Sequence, residues 1–210
     1  TWTIEQPKKS LDVAVCYPYG EVELASLKKA TKDCYRIDTI GMSQAGRPIV
    51  RWSNDYGDPG TSKKKRPGLY LIARQHSGET PGSWVLDGFL RHIAELGDRA
   101  PLVWAVPMSN IDGVEQGDYG KDNFPYDLNR AWGRPPMRHE TLVIQQDTRR
   151  WRDRCDMKLA LDFHAPGACE SEGIYLFLPN PKTYPKFRKP SLMWSRLLGK
   201  ALGDYGAKNF

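Results

Sequence analysis

Two side chains able to bind a metal ion stand close together in a short polar segment of this sequence. The apolar run 69–73 leads into Arg74-Gln75-His76-Ser77-Gly78-Glu79, in which two residues separate His76 from Glu79. An imidazole offers a borderline-soft nitrogen and a carboxylate a harder oxygen. Three protein ligands plus one position for water form the usual catalytic zinc site. The segment therefore predicts two ligands of a divalent metal at the end of a strand.

A third candidate ligand, His164, follows a second apolar run at residues 158–163. Open α/β sheets bind their ligands beyond the carboxyl ends of the strands, so His76 and His164 could meet on neighbouring strand ends. Asp162 lies on the same face of its strand as His164 and could contact that imidazole from outside the site. Either histidine alone is better explained without a metal, but the two paired patterns, H-x-x-E and D-x-H, favour a metal site.

The loop before the next charged helix offers groups that suit a carboxylate. Asn129 and Arg130 are adjacent there, and an arginine grips a planar carboxylate through two parallel hydrogen bonds. The alternative is an arginine that pairs with Asp127 or Asp122 on the same loop. Lys121 could supply a second positive charge beside a polarised carbonyl, although taken alone it is better explained as a solvated lysine.

The elements that must position these residues alternate between strands and helices. Apolar runs without alternation predict strands that are buried on both faces, as in a sheet covered by helices. Such runs lie at 69–73 and 102–107, with further strands at 158–163 and 173–178, a hairpin over 35–52, and helices at 21–32, 80–97, 138–154 and 192–202. The sequence therefore predicts an α/β fold with a mixed central sheet and helices on both faces. Residues 109–136 are predicted to form a long irregular segment.

Composition and charge describe an ordinary globular chain. It has 210 residues, 40% hydrophobic and 27% charged, with a net charge of +6. Part of the positive excess comes from local lysine and arginine runs, and no zinc-finger spacing or aromatic platform accompanies it, so we expect no nucleic-acid partner. No stretch is long enough to predict a membrane span. The four cysteines form no C-x-x-C pair, which predicts free thiols and a cytoplasmic location.

Taken in order, the motifs resemble those of the zinc carboxypeptidase family. Its pattern is H-x-x-E after a strand, then N-P-D-G, D-x-N-R and D-x-H. The matching segments are His76-Ser77-Gly78-Glu79, Asn110-Ile111-Asp112-Gly113, Asp127-Leu128-Asn129-Arg130 and Asp162-Phe163-His164. The resemblance covers roughly residues 20–180 and is strongest to the cytosolic carboxypeptidase branch and its bacterial relatives. That branch carries a β-sandwich before its catalytic domain. Residues 1–17 are therefore expected to be its last strands, or edge strands, and residues 18–210 the catalytic domain.

The resemblance implies a hydrolase, specifically a metalloprotease of the carboxypeptidase type. One zinc ion would be bound by His76, Glu79 and His164. Asn129 and Arg130 would hold the terminal carboxylate of a peptide or protein substrate, with Lys121 as a further cation. Hydrolysis of the C-terminal peptide bond, or of a side-chain glutamyl bond, would then use a metal-activated water.

The sequence departs from the family pattern at three places. Ile111 replaces the proline of N-P-D-G, and Gly120 stands where the cytosolic branch has a carbonyl-polarising arginine. The family's general-base glutamate lies on a late strand, and Glu170 and Glu172 follow His164 too closely to match it. The general base is thus not located, and we expect either a catalytic domain that lacks its C-terminal part or a relative without that base.

Two other functions stay open on the sequence alone. A zinc amidohydrolase of the aspartoacylase and desuccinylase type uses a similar H-x-x-E, N-R and later histidine on a small N-acyl amino acid. A non-catalytic domain that binds zinc or a peptide C-terminus would explain the absent glutamate.

Overall fold

The computed structural model describes residues 3, 11, 13–14, 16–32, 34–55, 65–121, 126–166 and 174–205. Most of the predicted N-terminal strands, together with Asp122, Cys169, Glu170 and Glu172, lie outside these residues. The described residues among 1–17 are not in strands. The chain divides into two compact units, Thr1–Ala165 and Pro166–Phe210, which are treated separately below.

A five-stranded mixed sheet forms the centre of the first unit, as predicted. Its strands are β1 (Arg36–Met42), β2 (Pro48–Ser53), β3 (Pro67–Ala73), β4 (Leu102–Val106) and β5 (Asp156–Phe163), in the spatial order β1-β2-β4-β3-β5. β1 and β2 are antiparallel, as are β2 and β4, whereas β3 runs parallel to both β4 and β5. The pairing of Ala73 with Phe163 places the carboxyl ends of β3 and β5 side by side.

Helices of the first unit cover both faces of this sheet, and the side chains of β3 are therefore buried on each side. The helices are α1 (Glu21–Ala30), α2 (Thr80–Glu95), α3 (Ile111–Gln116) and α4 (His139–Arg154) in the first unit, and α5 (Arg188–Leu202) in the second. Leu69 and Leu71 pack with α2, whereas Tyr70 packs with Ile144 and Trp151 of α4. None of the described helices combines the length and the apolar character that a bilayer crossing requires.

Two expectations about local structure were wrong. Residues 174–178 do not form the predicted fourth strand: Ile174 makes a single bridge, and Tyr175 to Leu178 have no regular structure. Ile174 and Phe177 are exposed, so the apolar pattern there does not mark a strand with a buried face in the described residues. The predicted irregular segment 109–136 contains helix α3, which begins because the Asn110 side chain accepts a hydrogen bond from the Gly113 amide.

A close approach between α2 and the end of β5 fixes the spacing of the predicted site. A Cβ atom on Gly82 would lie 2.6 Å from the Phe163 carbonyl oxygen and 3.0 Å from the His164 carbonyl oxygen. Only glycine allows the first turn of α2 to lie so near this backbone. Because α2 begins directly after Glu79, this contact holds Glu79 close to His164.

Candidate metal centre

The bend after β3 is held in an uncommon backbone conformation. Arg74 has a φ of 60°, which non-glycine residues seldom adopt, and its side chain is buried. Its guanidinium donates to the Ser77 carbonyl at 2.6 Å and to the Tyr19 carbonyl at 2.8 Å. The amide of Glu79 donates to the His76 carbonyl at 3.1 Å and closes the turn. These bonds place His76 and Glu79 together at the end of β3.

Three predicted ligands converge at this bend. His76 Nδ1 lies 2.8 Å from Glu79 Oε1, and His164 Nδ1 lies 2.7 Å from Glu79 Oε2. The two imidazole centroids are 4.8 Å apart. One ligand atom from each residue lies within 4.8 Å of the others, so the cluster has the size of a metal site. His76 and Glu79 are buried, whereas His164 is half-buried.

An aspartate faces the far nitrogen of each imidazole. Asp162 Oδ2 lies 2.9 Å from His164 Nε2, as the D-x-H spacing predicted. Asp127 Oδ1 lies 3.2 Å from the buried His76 Nε2, an ion-pair distance at which the alignment is too poor for a hydrogen bond. A carboxylate behind a metal-binding imidazole fixes its tautomer and raises its basicity. With their protons on Nε2, both rings would present a lone pair on Nδ1 toward Glu79.

The donor set of this cluster fits zinc. Two Nδ1 lone pairs and a buried carboxylate would face one another, and hydrogen-bond acceptors in such proximity need a proton or a cation between them. Imidazole nitrogen and carboxylate oxygen are the ligands found in catalytic zinc sites with three protein donors. His76, Glu79 and His164 therefore form a candidate zinc site, and their role as ligands stays a prediction.

The pKa values of Glu79 and His164 also indicate that this cluster holds a positive charge. Burial acts to raise the pKa of Glu79, but contacts with His164, His76 and the Ala165 amide outweigh it and lower that pKa to about 2. Burial acts to lower the pKa of His164, but Asp162 and Glu79 outweigh it and raise that pKa to about 10. Without a metal, a proton on His164 thus offsets the negative charge of Glu79.

The predicted substrate-binding turn is joined to this cluster by Asp127. Asn129 and Arg130 lie in a short 3₁₀ helix, Leu128–Arg130, and Asp127 caps it by accepting from the Asn129 amide at 2.8 Å. The same Asp127 carboxylate faces His76. The exposed Arg130 guanidinium donates to the Asn129 carbonyl at 3.4 Å, and within the described residues it forms no ion pair with Asp127. Arg130 is therefore accessible to a ligand beside the cluster.

Lys121 also reaches the cluster. Its Nζ atom lies 4.0 Å from Glu79 Oε1 and 5.2 Å from the centroid of the Tyr119 ring. The side chain is exposed, so its charge is available to a bound molecule as well as to Glu79. This position agrees with the predicted second cation, whose role stays a prediction.

Comparison with known proteins identifies the family. Mouse cytosolic carboxypeptidase 6 is 32% identical over 169 aligned positions, gaps included, and the match covers 72% of this chain and 31% of the mouse protein. Cytosolic carboxypeptidase 2 of Xenopus tropicalis is 29% identical over 225 aligned positions, gaps included, and the match covers 97% of this chain and 23% of the frog protein. A metallo-carboxypeptidase structure from Burkholderia cenocepacia matches with a TM-score of 0.56 at 24% identity, over 71% of this chain and 42% of that one. The chain belongs to the metallocarboxypeptidase family.

This membership confirms the resemblance inferred from the four motifs. No protein-family model matches the chain. The chain spans 23% of the length of the frog relative and 31% of the mouse relative, so it corresponds to a part of each. The structural match shows that this chain shares its fold with the metallo-carboxypeptidase from Burkholderia cenocepacia.

The backbone around Gly120 accounts for the departure of this chain from the pattern of the cytosolic branch at that position. Its φ is +101°, and an added Cβ would overlap the Ser77 amide and lie 2.9 Å from His76 Cα. The neighbouring loop is bonded to the bend, since Gly78 donates to the Tyr119 carbonyl at 2.9 Å and Ser77 Oγ donates to the Asp118 carbonyl at 2.7 Å. An arginine cannot be placed at position 120 with this backbone. The adjacent Lys121 carries a positive charge 4.0 Å from Glu79 Oε1.

Several residues at the site were not predicted from the sequence to have a role there. Asp127 belongs to the D-x-N-R motif, and its place in that motif is the signal that could have identified it. Arg74, Gln75 and Trp132 offered no such signal, because their contacts are made across the fold. The N-I-D-G motif supports the scaffold: the Asp112 carboxylate accepts from Ser43 Oγ, the Ala45 amide and Arg47 Nη1 at 2.7–2.9 Å.

We expect zinc binding to release the proton held by His164. With a pKa of about 10, His164 is protonated at pH 8 in the metal-free protein, and zinc needs its unprotonated Nδ1. Because the pKa is raised, protons compete with zinc until the pH passes about 10, and zinc affinity should rise with pH up to that value. Calorimetric titration at pH 8 in buffers of different ionisation enthalpy measures the protons released.

The Asp162→Asn variant distinguishes the proton released by His164 from a proton released by a zinc-bound water. Loss of the Asp162 carboxylate removes a contact that raises the pKa of His164, so proton release should decline at a lower pH in the variant as the pH is raised from 8 toward 10. Equal proton release from the two proteins at every pH in this range would contradict the assignment.

We expect Gly120→Ala to weaken zinc binding by at least ~10-fold, since the methyl group must displace the backbone of Ser77 and His76. Gly117→Ala is the matched control. Gly117 also has a positive φ, of +74°, but an added Cβ meets no atom within 4 Å. Both variants carry the backbone strain of alanine at positive φ, so equal zinc affinity in the two would show that the close approach at position 120 is unimportant. Competition against a chromophoric chelator measures both affinities.

Proposed function

We propose that this chain is the zinc-binding part of a carboxypeptidase that hydrolyses the last amide bond of a peptide or protein substrate. The observation that carries the proposal is the convergence of His76 Nδ1 and His164 Nδ1 on the Glu79 carboxylate, beside the turn that bears Asn129 and Arg130. The names of the relatives support this chemistry.

Three side chains would hold the ion and two aspartates would orient them. His76, Glu79 and His164 supply two nitrogens and a carboxylate, while Asp127 and Asp162 keep each Nε2 facing away from the ion. Bound zinc supplies a Lewis acid that lowers the pKa of a coordinated water to ~7. The general base that takes the proton of this water is not assigned to a residue of this chain.

The cationic side chains would orient the substrate. Arg130 presents a planar, exposed guanidinium that matches a terminal carboxylate, and Asn129 adds an amide donor beside it. Lys121 lies close enough to Glu79 to stabilise negative charge that develops on a carbonyl oxygen near the ion. A carboxylate anchor next to the ion restricts cleavage to the last residue of the substrate.

The same family membership supports a location in the cytosol, because the relatives at 29% and 32% identity are named cytosolic carboxypeptidases. Cys16 and Cys155 are free thiols, which suits a reducing compartment.

The proposal predicts that Arg130→Ala weakens binding of a peptide with a free C-terminus by about 10- to 100-fold. This is the range expected for loss of a hydrogen bond between charged groups. The same peptide with an amidated C-terminus should bind both proteins equally weakly. Calorimetric titration of the zinc-loaded protein measures these affinities, and amino-acid analysis measures release of the last residue.

Arg66→Ala provides the matched control, because the Arg66 guanidinium donates to the Ala100 carbonyl near the amino end of β3, at the opposite end of that strand from the cluster. Equal affinity of the wild-type protein for the free and the amidated peptide would contradict the carboxylate anchor. Binding without release of the last residue would favour the non-catalytic alternative. Cleavage of an N-acyl amino acid but not of the peptide would favour the amidohydrolase.

A further inference from the structure

A buried glutamine lies between the metal cluster and the substrate-binding turn. Gln75 directly precedes His76 and is only 2% exposed, although its side chain has two donors and an acceptor to satisfy. Its Oε1 accepts from Trp132 Nε1 at 2.6 Å, and its Nε2 donates to Asp162 Oδ2. Both polar ends of this buried side chain are therefore bonded.

The indole of Trp132 fixes the orientation of the Gln75 amide. An indole N–H is a donor and has no acceptor, so the Gln75 oxygen must face it. The NH₂ group then faces Asp162, which is an acceptor when ionised. In the reversed orientation, an NH₂ group would face the indole N–H and the amide oxygen would face the Asp162 carboxylate. Both of those contacts are repulsive, so a single orientation is stable.

Asp162 transmits this orientation to a predicted metal ligand. The same oxygen, Oδ2, that accepts from Gln75 lies 2.9 Å from His164 Nε2. With Gln75 holding the carboxylate in place, the proton of His164 is kept on Nε2 and its Nδ1 is directed at Glu79, 2.7 Å away. The four side chains form one continuous series of hydrogen bonds that ends at the candidate zinc site.

The series also joins segments that are distant along the chain. Trp132 lies two residues after Arg130, and its carbonyl accepts from Gln145 of α4 at 3.0 Å. Gln75 lies on the bend after β3, and Asp162 lies on β5. Displacement of the substrate-binding turn would therefore move Trp132 and, through Gln75, the carboxylate that orients His164.

We propose that Trp132 and Gln75 are positioning residues that hold His164 in its metal-binding orientation and couple that orientation to the substrate-binding turn. This inference rests on the proposed zinc site, but it makes neither Trp132 nor Gln75 a zinc ligand or a general base. Neither residue touches the ion or the substrate in this scheme, since each acts through Asp162.

Trp132→Phe tests the proposal with the smallest change, because it removes the indole N–H and keeps an aromatic ring. The Gln75 oxygen then loses its donor, so the amide is held less firmly and its hydrogen bond to Asp162 is weakened. We expect the dissociation constant for zinc to rise by about tenfold, the lower end of the range for partners behind metal ligands. Competition against a chromophoric chelator measures it.

Trp84→Phe is the matched control. Trp84 Nε1 also donates a hydrogen bond, to the Tyr17 carbonyl at 3.2 Å, but it lies on the exposed side of α2. Its loss should leave zinc affinity unchanged. Equal zinc affinity in wild-type protein and Trp132→Phe would overturn the inference.

A second variant shows whether the two residues act in series. Gln75→Met keeps a side chain of similar length without polar atoms, and it should weaken zinc binding at least as much as Trp132→Phe. If Trp132 acts through Gln75, the double variant should bind zinc no more weakly than Gln75→Met alone. Additive losses in the double variant would overturn the series.

The visible spectrum of the cobalt-substituted protein adds a readout that a purely structural role would not change. We expect its ligand-field bands to shift in both single variants and to stay unchanged in Trp84→Phe. A lower melting temperature with unaltered zinc affinity and an unaltered cobalt spectrum would assign the residues a structural role and overturn the proposal. Wild-type protein that binds no zinc would instead overturn the proposed function, and this inference with it.

Discussion

The structure depends on one electrostatic constraint, the burial of the Glu79 carboxylate between two imidazoles. Glu79 is 4% exposed, and a charged group at such a position is stable only when it is paired and hydrogen-bonded. His76 and His164 provide that pairing from opposite sides, at 2.8 Å and 2.7 Å. With both rings protonated only on Nε2, two nitrogen lone pairs would face this carboxylate. In that state the cluster favours a bound cation, and a zinc ion held by both nitrogens and by Glu79 would supply it.

The scaffold brings these groups together by close backbone approaches. The parallel register of β3 and β5 aligns Ala73 with Phe163, so the segments that carry His76 and His164 leave the sheet side by side. Gly82 and Gly120 then admit neighbouring backbone where a side chain would not fit. These close contacts hold the cluster from several directions. A metal site keeps its geometry without its ion only when its residues are held in this way.

The sequence predicted the parts of this architecture that depend on local patterns. Unbroken apolar runs identified β3 and β4, the apolar residues of 158–163 identified β5, and H-x-x-E and D-x-H identified the three residues that converge. It did not predict the contact of Asp127 with His76, nor the bonds of Gln75 to Trp132 and Asp162, because these join segments that only the fold brings together. It wrongly predicted a strand at 173–178, where an apolar run is exposed in the described residues rather than paired in a sheet.

X-ray absorption at the zinc edge of the zinc-loaded protein tests the central claim most directly. Coordination by His76, Glu79 and His164 predicts two imidazole nitrogens at about 2.0–2.1 Å and carboxylate oxygen at about 2.0–2.2 Å from the ion. The imidazole scattering should fall by half in His164→Ala. A sulfur neighbour at about 2.3 Å, or a shell made of oxygen alone, would show that zinc binds elsewhere and would contradict this account.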